Sequence, residues 1–221
     1  MAKSQFPNPK SHKLRLIYQR LYKTFGPQHW WPAKTPFEVM VGAILTQNTN
    51  WQNVEKAIRN LRKAELLDAH KLYRLPHRRL AQLIRPSGYF NIKARRLKNF
   101  LKFYIENYKA NVLKMRAQDT GRLREELLSV NGIGQETADS ILLYALDKPV
   151  FVVDAYTKRI CSRHGLLCEG ASYQDTQKLF TQNLKNDVQL FNEYHALLVR
   201  LGKDFCLKSR PRCRMCPLTE K

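Results

Sequence analysis

The sequence predicts an all-α fold, and three observations carry that prediction. Apolar residues recur at three- and four-residue intervals along most of the chain. Thr, Asn, Pro and Gly stand where these stretches should start and stop. The one strand-like run, Val150 to Val153, is four residues long and suits an extended connector as well as a strand.

Residues 13–25 place Leu14, Leu16, Ile17, Leu21 and Phe25 at roughly helical spacing, and Pro27, Trp30, Trp31 and Pro32 then break the chain. Thr35-Pro36-Phe37-Glu38 is a helix start, with Thr35 as cap, Pro36 in the first turn and Glu38 completing a capping box. The run Val39, Met40, Val41, Ala43, Ile44, Leu45 is relieved only by Gly42 and should lie deep in the core. Thr49-Asn50-Trp51-Gln52 opens a further helix, with Val54, Ala57, Ile58 and Leu61 on its inner face. Short helices at 69–74 and 77–85 are punctuated by Pro76 and Pro86. A long amphipathic helix over 91–108 carries Leu97, Leu101, Tyr104 and Tyr108 on one side and Lys93, Arg95, Arg96 and Lys98 near its start. Helices follow at 120–129, 135–147, 155–164, 173–184 and 188–203, with no repeat, low-complexity tract or long linker between them.

Charge narrows the partners. Thirty-nine Lys and Arg against 18 Asp and Glu give +21, a balance that self-repels unless a polyanion screens it. Nucleic acid is the leading partner and an anionic membrane surface the alternative. No stretch approaches the ~18 apolar residues of a membrane span. The first residues, Met1 to Lys13, lack the apolar core of a secretory signal, so an intracellular protein is expected, cytoplasmic and nucleoid-associated if bacterial. Cys161, Cys168, Cys206, Cys213 and Cys216 cluster in the last third, which in a reducing compartment suggests metal before disulfides.

Gly132-Ile133-Gly134-Gln135 joins two amphipathic segments. Two glycines let the backbone turn tightly, and the free N–H groups of the helix that follows favour a phosphate in a sequence-independent contact. A plain tight helix–helix turn reads the same way. Twenty residues after Gly134, Asp154 ends an apolar run and opens a helix, which is the position of an ordinary N-cap as well as of a cleft-facing carboxylate.

These segments together resemble the endonuclease III superfamily of helix-hairpin-helix (HhH-GPD) DNA glycosylases. The hairpin VNGIGQETAD, a proline, and VFVVDAYTKRI are similar to the family's helix-hairpin-helix, Gly/Pro-rich loop and catalytic aspartate. ILTQNTNWQNVEKA resembles its segment with a DNA-inserting glutamine, and SGYFNIKARRL its Gly-x-x-Asn-x-Lys-Ala block. The resemblance runs in order along nearly the whole chain. It implies a six-helix barrel over 33–148, a second helical domain from 1–32 and 149–221, and double-stranded DNA with damaged bases in the cleft between them. It implies Asp154 as the catalytic carboxylate, Gln47 as the inserted residue, Gly132, Ile133, Gly134 and Gln135 as DNA contacts, a structural monovalent cation at the hairpin, and a monomer.

Bifunctional members resemble G-V-G-R-K-T-A at the hairpin, whereas here Glu136 stands at the lysine position. A carboxylate cannot form a Schiff base, so a monofunctional hydrolase without AP-lyase activity is expected. Trp-Trp-Pro, then LTQNT, then an aromatic is similar to the 3-methyladenine glycosylases of this superfamily. That likeness implies a base pocket of Trp31, Pro32 and Trp51, with Glu136 near it favouring a cation, although tryptophans are also ordinary core residues. Cys206-x6-Cys213-x2-Cys216 is close to the family's C-x6-C-x2-C-x5-C pattern for a [4Fe–4S] cluster, with the fourth position one residue past Lys221. Cys168 is a weak candidate for that fourth ligand, and zinc on three thiolates is the alternative. Lys203, Lys208, Arg210, Arg212 and Arg214 are candidate phosphate contacts or a solvated charged face. The competing functions are an endonuclease III-type enzyme for oxidised or mismatched bases, a non-catalytic damage-binding module, and a metal-binding helical transcription regulator, for which no base-reading helix is visible.

Overall fold

The computed structural model describes residues 8–219. They form helices α1 (Pro9–Phe25), α2 (Pro36–Leu45), α3 (Trp51–Lys63), α4 (Ala69–Arg74), α5 (His77–Leu83), α6 (Phe90–Tyr108), α7 (Val112–Arg116), α8 (Thr120–Ser129), α9 (Gln135–Ser140), α10 (Ala155–Arg163), α11 (Tyr173–Thr181) and α12 (Val188–Asp204). Tight 3-10 turns lie at Arg85–Ser87 and Cys213–Met215, and α9 runs into a π-helical turn, Ile141–Ala145. Among the described residues there is no strand, and the predicted all-α class stands. None of the described helices is long and apolar enough to cross a membrane.

The chain divides into two compact units. Met1–Trp30 with Pro149–Lys221 makes one, and Trp31–Lys148 the other. The second unit is built around α2. Thr35 caps it, its hydroxyl accepting the Glu38 N–H at 3.2 Å, and Pro36 fills the first turn. Every residue from Glu38 to Leu45 is buried, because α2 touches α3, α6, α9 and the π turn. Glu38 does not complete the expected capping box: its carboxylate is paired with Arg62 of α3 at 2.6 Å. Buried Lys93 ties the end of α2 to the turn before α6. Its ammonium donates to the carbonyls of Leu45 (2.8 Å) and Ser87 (2.6 Å), and burial, with Arg96 nearby, holds its pKa down to about 8.

In the first unit α12 packs on α1 and α10. Gly202 of α12 makes the second contact close: a Cβ there would lie 2.4 Å from the Tyr156 ring of α10. Phe151 stacks on Phe180 with centroids 3.8 Å apart and sets its edge against Phe191 and Tyr194. The Tyr194 hydroxyl donates to the Leu14 carbonyl at 2.9 Å, fixing α12 to α1.

Three elements differ from the sequence expectation. The helix foreseen over 135–147 leaves α geometry after Ser140. The stretch 77–85 splits into α5 and a 3-10 turn that holds Pro86 and ends at Gly88. A short α7 appears after an Asn111 cap that accepts the N–H groups of Leu113 and Lys114, in a segment too brief to show a period.

Candidate functional site

The hairpin between α8 and α9 is held from three sides, all within the Trp31–Lys148 unit. Gly132 has φ +98, a left-handed conformation, and a Cβ there would fall 2.3 Å from the Arg96 side chain, so only glycine fits. Ile133 between the glycines is buried. Gly134 is exposed, opens α9 without a side-chain cap, and has nothing within 4 Å of where a Cβ would sit. The backbone there is open to solvent. Buried Asp139 on α9 takes a two-pronged guanidinium from Arg124 on α8, at 2.6 and 3.1 Å, locking the two hairpin helices together.

Gln47, at the end of α2, is bound to this hairpin. Its amide donates to the Gly132 carbonyl and to the Thr137 hydroxyl, each at 3.0 Å, and its carbonyl accepts from Arg96. The next residue, Asn48, is exposed and left-handed at φ +53. Gln47 is therefore half-buried and positioned by the hairpin, a relation with no signature in the local sequence.

Trp31 and Trp51 come together from the two sides of α2. Their centroids are 5.1 Å apart and their planes nearly perpendicular, at 87°. Gly42 makes room for both: a Cβ there would touch the Trp31 indole at 3.4 Å and Trp51 at 3.6 Å. Both indoles are half-buried rather than deep in the core, and Pro32 beside them is exposed. Glu136 is exposed in the first turn of α9.

Asp154 belongs to the other unit. Phe151, Val152 and Val153 are buried before it, with the Gln177 amide on the Phe151 carbonyl at 2.7 Å and the Val153 N–H on the Tyr173 hydroxyl at 3.3 Å. Asp154 then caps α10. One carboxylate oxygen accepts from the Thr157 N–H (2.7 Å) and the Thr157 hydroxyl (2.8 Å), and the other lies 3.8 Å from a ring nitrogen of buried His195. Burial lowers the His195 pKa, with Asp154 pulling the other way.

Residues 41–186 match the family model of the HhH-GPD superfamily base excision DNA repair proteins. The chain belongs to the HhH-GPD superfamily. A protein of Methanocaldococcus jannaschii, provisionally named a DNA repair glycosylase, is 51% identical over 217 residues, 96% of this chain and 97% of its own. Endonuclease III of Thermotoga maritima is 28% identical over 90% of this chain and 87% of its own. The crystal structure of H. pylori 3-methyladenine DNA glycosylase bound to 1,N6-ethenoadenine has a TM-score of 0.74 at 31% identity, covering 88% of this chain and 97% of that one. A trapped endonuclease III–DNA covalent intermediate has a TM-score of 0.82 at 23% identity, covering 94% and 93%, and shares the fold.

This HhH-GPD chain carries its remaining cysteine feature on the loop after α12. Cys206 is buried, Cys213 exposed and Cys216 half-buried. Burial pushes the Cys216 thiol up, and the neighbouring Cys206 and Cys213 thiols add to it. Arg163 anchors the loop by donating to the carbonyls of Leu207 (2.6 Å) and Lys208 (2.9 Å) and to the Cys206 sulfur at 3.4 Å. Among the described residues, no three His, Cys, Asp or Glu form a group that could hold a metal, so the thiols supply at most part of a ligand set. Cys161 is buried, its thiol pushed up to about 12 by burial and by Asp154, and it is a core residue.

Sequence reasoning missed four residues that shape these sites. Arg96 holds Gln47, Lys93 holds the turn before it, His195 faces Asp154, and Tyr144 in the π turn lies 5.2 Å from Trp31, at 52°. Only Lys93 and Arg96 left a trace, as unexplained cations inside a family-like block.

Proposed function

We propose that this HhH-GPD protein is a monofunctional, monomeric DNA glycosylase that hydrolyses the N-glycosidic bond of alkylated purines such as 3-methyladenine in double-stranded DNA. The observation that carries the reading is the perpendicular Trp31–Trp51 pair seated over Gly42. Half-buried aromatic faces attract a flat, positively charged base. The likeness to a 3-methyladenine glycosylase holding 1,N6-ethenoadenine supports the same substrate class.

In this mechanism the hairpin backbone around Gly132, Ile133, Gly134 and Gln135 grips the sugar–phosphate strand without reading bases. The damaged nucleotide leaves the stack, and Gln47 fills the space it vacates. The C1′–N bond breaks heterolytically. A base that entered as a cation departs neutral, and positive charge develops on the deoxyribose. Asp154 steadies that charge and accepts the proton of the water that adds to C1′. One oxygen of Asp154 is fixed by the α10 cap, and burial disfavours the protonated form of the nearby His195. Because the base is already a good leaving group, no strong general acid is required.

Glu136 at the position of the lysine in bifunctional members supports hydrolysis without strand cleavage, since a carboxylate forms no Schiff base. The spacing of Cys206, Cys213 and Cys216 would suit a [4Fe–4S] cluster that rigidifies the loop, but the three thiols do not form a metal-holding group among the described residues, so the cluster rests on the spacing alone. Absorbance near 400 nm with matching iron and sulfide would establish it. A monovalent cation bound by the hairpin would act in the same structural sense.

Incubation with methylated duplex, followed by identification of the released bases, tests the reading. Heat and alkali applied separately should reveal abasic sites without prior nicking. Release of thymine glycol but not 3-methyladenine would assign the chain to oxidised pyrimidines instead. A borohydride-trapped protein–DNA adduct would overturn the monofunctional assignment.

A further inference from the structure

We propose that Tyr144 is a specificity-determining residue for the base, a third aromatic wall that the π-helical turn Ile141–Ala145 swings onto the Glu136 side of the hairpin helix. The inference rests on the alkylated-base reading above.

Position singles Tyr144 out. Its neighbours in the turn, Ile141, Leu142, Leu143 and Ala145, are all buried, whereas Tyr144 is half-buried. Its ring lies 5.2 Å from Trp31, which is itself 5.1 Å from Trp51. Trp31 is thus the common neighbour of both rings, and Tyr144 extends the tryptophan pair to a cluster of three aromatics.

Helical phase shows what the π turn does. Tyr144 lies eight residues after Glu136, and in an unbroken α-helix those steps of about 100° would leave the two side chains about 80° apart. A π turn absorbs roughly one extra residue, so the phase is that of seven steps, within about 20° of Glu136. The local change of geometry therefore puts an aromatic ring and a carboxylate on one line of the helix surface. Turns of this kind are rare and concentrate at functional sites. An electron-rich phenol ring on the same helix face as a carboxylate favours a cationic purine over an uncharged ring of similar size. A tyrosine serving only as core filling needs neither the partial exposure nor the phase shift.

The test measures single-turnover release of 3-methyladenine, 1,N6-ethenoadenine and thymine glycol from otherwise identical duplexes, using the full chain. Tyr144→Leu removes the ring, Tyr144→Phe keeps it, and Tyr144→Trp enlarges it. Melting curves and affinity for an abasic duplex monitor fold and DNA grip. Loss of the ring should lower 3-methyladenine release at least about tenfold relative to the uncharged lesions, while affinity for the abasic duplex changes less than about twofold. Tyr144→Phe should keep the wild-type lesion ratio, and Tyr144→Trp should depress the larger etheno adduct more than 3-methyladenine. Should Tyr144→Leu fail to fold, the Phe and Trp ratios decide alone. Equal loss on every lesion, or unchanged ratios in all variants, overturns the assignment. If the wild type releases only thymine glycol or another non-alkylated base, the alkylpurine reading falls. The role of Tyr144 is then judged by whether the variants redistribute the bases the wild type does release.

Discussion

At the scale of single residues, Asp154 has one observed duty and one proposed duty, and substitutions can separate them. It caps α10 through one oxygen and carries the negative charge proposed for catalysis. Asparagine is as good an N-cap as aspartate, so Asp154→Asn should retain the melting temperature and duplex binding while single-turnover excision falls at least about 10²-fold. Asp154→Ala should lose the cap as well and cost about 0.5–2 kcal/mol in urea unfolding. Near-normal excision by the asparagine variant would remove Asp154 from the chemistry. His195 makes a separate prediction through its lowered pKa. Below the ordinary histidine value of 6.5 the unfolded chain takes up a proton that the folded chain resists, so stability falls as pH drops through that window. His164, also lowered by burial, acts with the same sign. His195→Gln should therefore flatten the acid side of the stability curve below pH 6.5 relative to wild type, and leave the His164 share in place. Urea midpoints across that range that remain parallel in the two proteins would rule the effect out.

At the scale of elements, the hairpin stands on the Arg124–Asp139 pair that joins α8 to α9. Asp139 is fully buried, so Arg124→Ala takes away the cation facing a carboxylate that water does not reach. The expected cost is on the order of 3–5 kcal/mol, and Arg124→Met with Asp139→Leu should recover much of it. Additive losses in the double variant would show that the two side chains act independently. This pair was invisible in the sequence, because fifteen residues and a turn separate its members and nothing local requires them to meet. Helix starts were far more legible. Thr35-Pro36 and Asn50 act through contacts within three residues, and the unrelieved run of α2 could only be core. The π turn was not legible, since Ile141–Ala145 has no polar residue to mark a change of period. The aromatic pair was legible as a pattern, whereas the role of Gly42 in seating it depends on two indoles arriving from opposite directions. Gln47 was legible by family likeness, and its hydrogen bonds to Gly132 and Thr137 were not.

At the scale of the whole molecule, a formal charge of +21 has to be reconciled with a hairpin that offers mostly backbone. Phosphate grip through N–H groups contributes little to salt dependence, whereas each Lys or Arg that neutralises a phosphate releases a counterion. The loop after α12 concentrates such charge: Lys208, Arg210, Arg212 and Arg214 are all exposed, and none forms an ion pair with a carboxylate among the described residues. Replacing these four with Gln should reduce the steepness of log K against log salt by up to about 3–4 for an undamaged duplex, since each phosphate contact contributes about 0.9. The ratio of affinities for damaged and undamaged DNA should not change, because charges on this loop add equally to both. A slope equal to that of wild type would make the loop a solvated face and place the counterion-releasing contacts elsewhere, with Arg95 and Lys102 on α6 the next residues to neutralise. A shallower slope accompanied by lost lesion preference would instead mean that the loop helps to hold the flipped nucleotide, so that grip and base recognition are not separate.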